Sequence, residues 1–177
     1  MGNLLFSPKG RIGPSDFIKG LAIIAVIGAL ITLMPLFSYA LSQPLALASI
    51  LLLFPLFCLL IKRCHDAGKS GWMSILFFLL IMIIGAVLQY FAGTATGGVE
   101  MQEMTAAMEE LAESGAGFGE ILEQQTLLMN EFGPAIAKNT ALPSAIAGFI
   151  GTMLGGYITN FILKSDDHEN QYGDATL

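Results

Sequence analysis

Four long apolar runs set the pattern of this chain, and short polar or glycine-rich segments separate them. A hydrocarbon core of about 30 Å is crossed by roughly 17 to 25 helical residues. Lipid offers backbone N–H and C=O groups no hydrogen-bond partner, so each run that crosses it must be helical. The pattern therefore predicts an all-α membrane protein with four transmembrane helices, at about 20–41, 45–61, 72–92 and 141–163.

Prolines and a short connection shape the first two predicted spans. Pro35 and Pro55 lie inside these spans and predict kinks, because proline lacks the N–H that a helix interior needs. Only Ser42-Gln43-Pro44 separates the two runs, which predicts a tight antiparallel hairpin. Ser38-Tyr39-Ala40 has the form of a signal-peptidase site, but the long leading segment favours an uncleaved first span.

The composition agrees with lipid as the main solvent. Of 177 residues, 54% are apolar and 12% are charged, whereas a soluble domain carries about 25% charged residues. Residues 1–177 are expected to form a single integral membrane domain, which leaves no room for a large soluble catalytic fold. Cys58 and Cys64 form no spacing pattern, and we interpret them as free thiols.

Positive charge is concentrated on one predicted side of the membrane. Cytoplasmic loops of membrane proteins carry an excess of lysine and arginine. Four spans place both termini and the 62–71 loop on the same side, and seven of the eight cations lie there. We therefore expect both termini to be cytoplasmic. The seven cations are Lys9, Arg11, Lys19, Lys62, Arg63, Lys69 and Lys164.

The segment between the third and fourth spans is acidic. Residues 93–140 contain eight glutamates and one lysine, a net charge of −7. Met101, Met104 and Met108 repeat at helical spacing, and a break at 114–117 separates them from a second helical pattern. We expect an acidic extracytoplasmic helical hairpin whose apolar stripe packs against the spans or a partner. The methionines leave Cu(I) binding open as a rarer alternative.

Small residues on the fourth span predict close helix packing. Ala147, Gly151, Gly155 and Thr159 recur every four residues, which lets another helix approach. The stripe serves either packing within one chain or a homo-oligomer through Ala147, Gly151 and Gly155. No ionisable residue lies in the middle of a predicted span, which argues against a proton-coupled transporter.

Three segments on the predicted cytoplasmic side resemble a known family. The block Arg63-Cys64-His65-Asp66-Ala67-Gly68-Lys69-Ser70-Gly71-Trp72 resembles the Arg-x-His-Asp-x-Gly-x-Ser-Gly-Trp signature of the "domain of unknown function 805" family. Gly10-Arg11-Ile12 with Phe17 is similar to its N-terminal element, and Asn170-Gln171-Tyr172-Gly173 to its terminal Asn-x-Tyr-Gly. Cys64 departs from the family, where an aliphatic residue is common. The resemblance implies a small bacterial inner (plasma) membrane protein and brings no activity with it.

Two interpretations of this block remain open. In one, it is a well-anchored turn between spans, with Trp72 in the aromatic belt and Gly68 and Gly71 reversing the backbone. In the other, its polar side chains pack with the N-terminal and C-terminal segments, and the resulting cluster binds a partner protein or anionic lipid headgroups. Within this cluster Asp66 would pair with Arg63 or Lys69. The candidate binding residues are Arg11, Arg63, His65, Asp66, Gly68, Lys69, Ser70, Gly71, Trp72, Asn170, Tyr172 and Gly173.

Enzymatic patterns in the block are incomplete. Gly68-Lys69-Ser70 resembles the end of a phosphate-binding loop, but Arg63 occupies a position where that loop needs glycine. Consecutive Cys64, His65 and Asp66 rarely converge on one metal ion or form a catalytic pair. We expect no enzyme activity, no cofactor, no metal and no nucleic-acid partner. The predicted function is a structural or partner-binding membrane component, and the alternative is a small oligomeric channel or transporter.

Overall fold

The computed structural model describes residues 2–176, so residues 1 and 177 of the predicted single domain lie outside it. Within the described residues the regular structure is helical throughout, with no strand. Short 3₁₀ turns join some of the helices. The seven α-helices are α1 (Gly2–Phe6), α2 (Pro14–Thr32), α3 (Tyr39–Ala48), α4 (Leu53–Asp66), α5 (Ser74–Thr96), α6 (Gly98–Glu113) and α7 (Phe118–Ile162).

Four helical stretches are long and apolar enough to cross a membrane, which confirms the predicted number of spans. They are Pro14–Leu36, Tyr39–Asp66, Gly71–Thr96 and Phe118–Ile162. Less than a third of the most apolar window of each is buried inside the protein. Large apolar side chains therefore cover the outside, as expected where lipid is the solvent.

The turn between the first two spans lies earlier than predicted. The sequence pattern placed it at Ser42-Gln43-Pro44, but these residues lie inside α3. The chain instead reverses after α2 ends at Thr32, through a 3₁₀ turn that contains Pro35. Pro35 thus ends the helix rather than kinking it, because it has no N–H to bond to the carbonyl of Ile31, as a continuing α-helix would need. Ser38 then caps α3 by accepting a hydrogen bond from Leu41 N at 3.3 Å.

The second span is interrupted at its middle. A 3₁₀ segment, Ser49–Leu52, separates α3 from α4, and Pro55 lies in the first turn of α4. Proline removes the hydrogen bond to the carbonyl four residues earlier and crowds that carbonyl. That carbonyl belongs to Leu51, within the 3₁₀ segment. The local change of helix type agrees with the irregularity predicted at Pro55.

The fourth span belongs to a longer helix than predicted. The sequence pattern began it near Ala141, whereas α7 runs without a break over 45 residues, Phe118–Ile162. At 1.5 Å per residue its length is about 67 Å. Pro134 and Pro143 are accommodated inside it. Helix α6 begins at the left-handed Gly98 (φ +69°) and packs against α7, so this helix pair is continuous with the fourth span.

The small-residue stripe of α7 is used within the chain. A Cβ at Gly151 would lie 2.9 Å from the Cα of Gly85 in α5, and one at Gly155 would lie 2.7 Å from the Cγ1 of Ile81. Both glycines are buried, as is Ala147. Helices in lipid gain from such close approach because van der Waals contact drives their association. Homo-oligomerisation stays a prediction, but it would have to use a surface other than this buried stripe.

Gly151→Ala is expected to destabilise the protein, because the added methyl group meets the backbone of Gly85, which cannot rotate away. Overpacking of this kind costs about 1–3 kcal/mol. The free energy of unfolding in mixed detergent micelles measures the change. Gly93→Ala in α5 is the matched control, since its Cβ has no neighbour within 4 Å. Equal stability of both variants would contradict the close packing of α5 and α7.

Candidate functional site: a cluster around Asp66

Three distant segments meet at one end of the helices: the chain before α2, the end of α4 with its following loop, and the chain after α7. Arg11 contacts Asp66 across 55 residues of sequence, and Ser165 contacts it across 99. The N- and C-terminal segments therefore lie on the same side of the bundle. We call this end the terminal face.

A single carboxylate joins these segments. Asp66 is fully buried, and its Oδ1 accepts hydrogen bonds from Arg11 Nε at 3.2 Å and from the Thr176 hydroxyl. Its Oδ2 accepts from Arg63 Nη1 at 2.6 Å and from the Ser165 hydroxyl at 2.6 Å. Each oxygen thus accepts two bonds, the usual capacity of a carboxylate. We call these five residues the Asp66 cluster.

Arg11 uses all five of its N–H groups within the protein. Besides Nε, its Nη1 donates to the carbonyl oxygens of His168 (2.7 Å) and Gly173 (3.1 Å). Its Nη2 donates to the backbone carbonyls of Asp66 (3.3 Å) and Asp166. A guanidinium carries five donors in a fixed fork. Arg11 therefore holds the C-terminal segment against the end of α4 and has no donor left over.

Arg63 connects the cluster to the end of α7. Its side chain is 1% exposed, and its Nε donates to Asn160 Oδ1 at 2.6 Å. Its Nη2 donates to the carbonyl of Leu163, the C-cap residue directly after α7. Asn160 in turn donates to the carbonyl of Pro14 at 3.1 Å. The ends of α4 and α7 and the start of α2 are thus held at fixed positions.

The C-terminal segment folds into a small turn around Asn170. Asn170 and Gly173 exchange two backbone hydrogen bonds, of 3.1 and 3.0 Å. The Asn170 side chain accepts from Tyr172 N at 2.9 Å and donates to the carbonyl of His65 at 3.1 Å. Gly173 has a φ of +133°, a conformation that favours glycine. These contacts give the Asn-x-Tyr-Gly element a structural role.

Asp166 stabilises the same turn. Its backbone N–H donates to the carbonyl of Asp66 at 2.8 Å. Its side chain accepts hydrogen bonds from His168 N and from the Asn170 amide, each at 3.3 Å. Both bonds lower the pKa of Asp166, and the bond from His168 N has the larger effect. A carboxyl with a lowered pKa stabilises the folded state above its unfolded pKa. This contribution is lost as the pH falls through the lowered pKa.

His65 and Tyr172 stack on each other at the surface of the cluster. Their ring centroids lie 3.8 Å apart and the planes are 6° from parallel. His65 Nδ1 lies 3.2 Å from the carbonyl oxygen of Gly10, which only accepts, so Nδ1 carries the proton of this bond. The other ring nitrogen, Nε2, would lie 3.2 Å from a Cβ at Gly71. The block and the Tyr172 segment therefore form one continuous surface.

The loop after α4 is a compact reversal. Gly68 has a φ of +65°, which side chains rarely adopt. Ser70 caps the following 3₁₀ turn by accepting from Trp72 N. The Trp72 side chain is 81% exposed, and Lys69 is exposed as well. Beside the loop lies a groove of about 610 Å³, which we call the aromatic groove, lined by Phe57, Ile61, His65, Ser70, Gly71, Trp72, Ser74, Ile75 and Tyr172.

The structure brings most of the predicted site residues together but divides them into two groups. Arg11, Arg63 and Asp66 are buried and mutually bonded, and Asp66 pairs with both arginines rather than with Lys69. The loop residues and Tyr172 remain at the surface. Among the described residues no group of three histidine, cysteine or acidic side chains lies close enough to hold a metal ion.

Sequence reasoning missed three members of this network: Asn160, Ser165 and Thr176. Their types are common, and nothing in their spacing marks them. A usable signal for Asn160 was its position as a polar residue near the end of an apolar span, facing a predicted cluster. Ser165 and Thr176 could be found only after the tail had been placed against α4.

Asp66→Asn is expected to destabilise the protein by about 3–5 kcal/mol, because it leaves two buried guanidinium groups without a counter-charge. The free energy of unfolding in mixed micelles measures the loss. Glu169→Gln is the matched control, since it removes one carboxylate from the exposed part of the same tail. A similar, small effect of both substitutions would show that the Asp66 cluster does not hold the terminal face together.

The chain matches a family model over most of its length. The model described as "Protein of unknown function (DUF805)" matches residues 5–174. The match covers nearly the whole chain, including all three segments of the terminal face. No curated protein and no solved structure matches the chain.

Proposed function

The chain belongs to this family, whose description names no activity, and we propose that it is a non-enzymatic inner-membrane protein whose terminal face binds a protein partner. In this proposal the terminal face is cytoplasmic and the α6–α7 pair is extracytoplasmic. The observation that carries it is the aromatic groove, with its exposed Trp72 beside a rigid polar cluster.

Charge supports the proposed orientation. The end of the bundle that bears Arg11, Arg63, Lys62 and Lys69 carries most of the cations, as cytoplasmic loops do. The opposite segment, residues 93–140, is strongly acidic. Both termini lie at the cation-rich end because the Asp66 cluster joins them there.

The Asp66 cluster supports binding indirectly, as a rigid foundation. Every buried polar side-chain atom in the described part of the chain has a hydrogen-bond partner. Arg11 and Asp66 therefore have no group left to bind an external ligand. What the cluster does is hold the loop and the tail in one conformation, so that a partner meets a preorganised surface and loses less entropy on binding.

The aromatic groove supplies the recognition chemistry. The exposed Trp72 and the stacked His65 and Tyr172 rings all line it. Phe57 and Ile61 add apolar surface to the lining. Tryptophan and tyrosine are enriched in the residues that dominate protein interfaces. The groove thus fits an apolar or aromatic side chain of a partner that approaches at the membrane surface.

A photo-crosslinking residue at Ser70, within the groove, tests the proposal in living cells. We expect it to capture a distinct protein, whereas the same residue at the exposed position Lys164 captures none. Trp72→Ala should reduce capture at Ser70 by about 30-fold or more, as expected for loss of a central aromatic contact. Phe91→Ala is the control, because it removes an exposed aromatic side chain from the other end of α5.

Three outcomes would contradict partner binding at the groove. Adducts of the chain with itself alone would indicate an oligomer, and adducts with phospholipid alone would indicate a headgroup surface. Equal capture in the Trp72→Ala and Phe91→Ala variants would remove the groove from recognition. Substitution of Arg63 is a poorer test, because this buried side chain affects stability first.

A cavity between α2, α3 and α7 favours the second candidate, a small channel or transporter. Its volume is about 480 Å³, and its lining contains no charged residue. Hydroxyl and amide side chains contribute to the wall: Thr32, Ser42, Gln43, Ser49, Thr140, Ser144 and Thr152. Such a lining suits a small neutral polar solute rather than an ion.

Solute flux into proteoliposomes tests this second function. Gly28 lines the cavity, and a Cβ there has no neighbour within 4 Å, so Gly28→Leu should fill the cavity without a backbone clash. If the cavity conducts solute, flux falls in this variant and persists in Gly93→Leu, whose site is also open but lies outside the cavity. Absence of flux in the unaltered protein would exclude the channel.

A further inference from the structure

A second concavity opens at the terminal face, and its lining shares no residue with the aromatic groove. It lies between α1, the first turn of α2 and the end of α4, and its volume is about 800 Å³. We call it the basic pocket. This size is within the range of small-molecule sites, which is about 300–1,000 Å³.

Positive charge dominates the lining of the basic pocket. Lys9, Lys19, Lys62 and Arg11 contribute to it, against the single carboxylate of Asp16. Two of these charges are partly balanced nearby. Lys19 pairs with Asp16 at 2.9 Å on the exposed rim, and Arg11 pairs with Asp66. Lys9 is exposed and forms no ion pair among the described residues, so the lining keeps an excess of positive charge there, which selects an anionic ligand.

The basic pocket is at the level where the first span begins. Its wall includes Pro14 and Ser15, the first residues of a stretch that is apolar enough to cross a membrane. Ile12 and Phe17, on either side of them, are buried in the apolar core. Phospholipid phosphate groups occupy this level of a bilayer, and basic pockets there bind anionic headgroups.

The wall of the pocket is held in place by contacts already described. Arg11 and Thr176 both line it and both bond to Asp66. Lys62, which is buried, donates to the carbonyl of Leu4 and so fixes α1 along the opposite wall. The pocket is therefore preorganised.

We infer that the basic pocket binds the phosphodiester headgroup of an anionic phospholipid. The exposed Lys9 and Lys19 attract the phosphate, and the apolar residues of α1 receive the start of the acyl chains. Leu4 lines the pocket, and Phe6 is 63% exposed at the end of the same helix. This site is separate from the aromatic groove, so it does not rest on the proposed protein partner.

Native mass spectrometry of the full chain in neutral detergent tests the inference, with phosphatidylglycerol and phosphatidylcholine as probes. We expect preferential retention of phosphatidylglycerol. The double variant Lys9→Gln/Lys19→Gln should retain about tenfold less of it, since each basic residue near an anionic headgroup contributes to binding. The matched control is Lys69→Gln/Lys164→Gln, which removes two exposed cations outside the pocket.

Several results would overturn the inference. Equal retention of the two lipids, or equal losses in the two double variants, would show that no headgroup site exists in the pocket. Displacement of the lipid by inorganic phosphate at similar concentration would identify a soluble anion as the ligand. If the Lys9 and Lys19 variant misfolds, the test is the retention of phosphatidylglycerol by the unaltered protein at low and at high salt. Salt screens charges, so retention that does not fall at high salt would overturn the inference.

Discussion

The buried carboxylate of Asp66 is the constraint on which the terminal face depends. Two guanidinium groups and one carboxylate are buried away from water. Burying any one of them alone would cost several kcal/mol of desolvation free energy with no opposite charge to offset it. Each charge therefore requires the others to be in place. Because Arg11, Asp66 and Thr176 come from three separate segments, these segments order together. The cluster also requires both ends of the chain to lie on the same side of the bundle.

Close helix packing brings the cluster residues to this position. Gly151 and Gly155 let α7 lie directly against α5, and α7 also packs along α2. This packing fixes the end of α7 relative to α4, both in its position along the bundle axis and in its rotation. Asn160 and the Leu163 carbonyl then lie within reach of Arg63. The hydrogen bonds at the polar end therefore depend on the close packing of the helices in the apolar part.

The terminal face separates structural residues from residues that can meet a ligand. Asp66 and the side chains of Arg11 and Arg63 are saturated and buried, whereas Trp72 in the aromatic groove and Lys9 at the basic pocket are exposed. The two concavities differ in chemistry, one aromatic and one cationic. Thr176 of the Asp66 cluster lines the basic pocket, and Tyr172, which lines the aromatic groove, belongs to the same C-terminal segment. A small membrane protein can in this way present two surfaces without a soluble domain.

The sequence by itself determined the number of spans, their helical character and the three polar segments, because hydropathy and span length are local properties. Tertiary structure decided the rest. Pro35 and Pro44 both lie near the first turn, and only packing shows that the chain reverses at Pro35. Likewise, the sequence offered Arg63 or Lys69 as the partner of Asp66, and the structure pairs Asp66 with Arg63 and also with the distant Arg11. Contacts between residues 55 to 110 positions apart depend on how the helices pack, which no local pattern encodes.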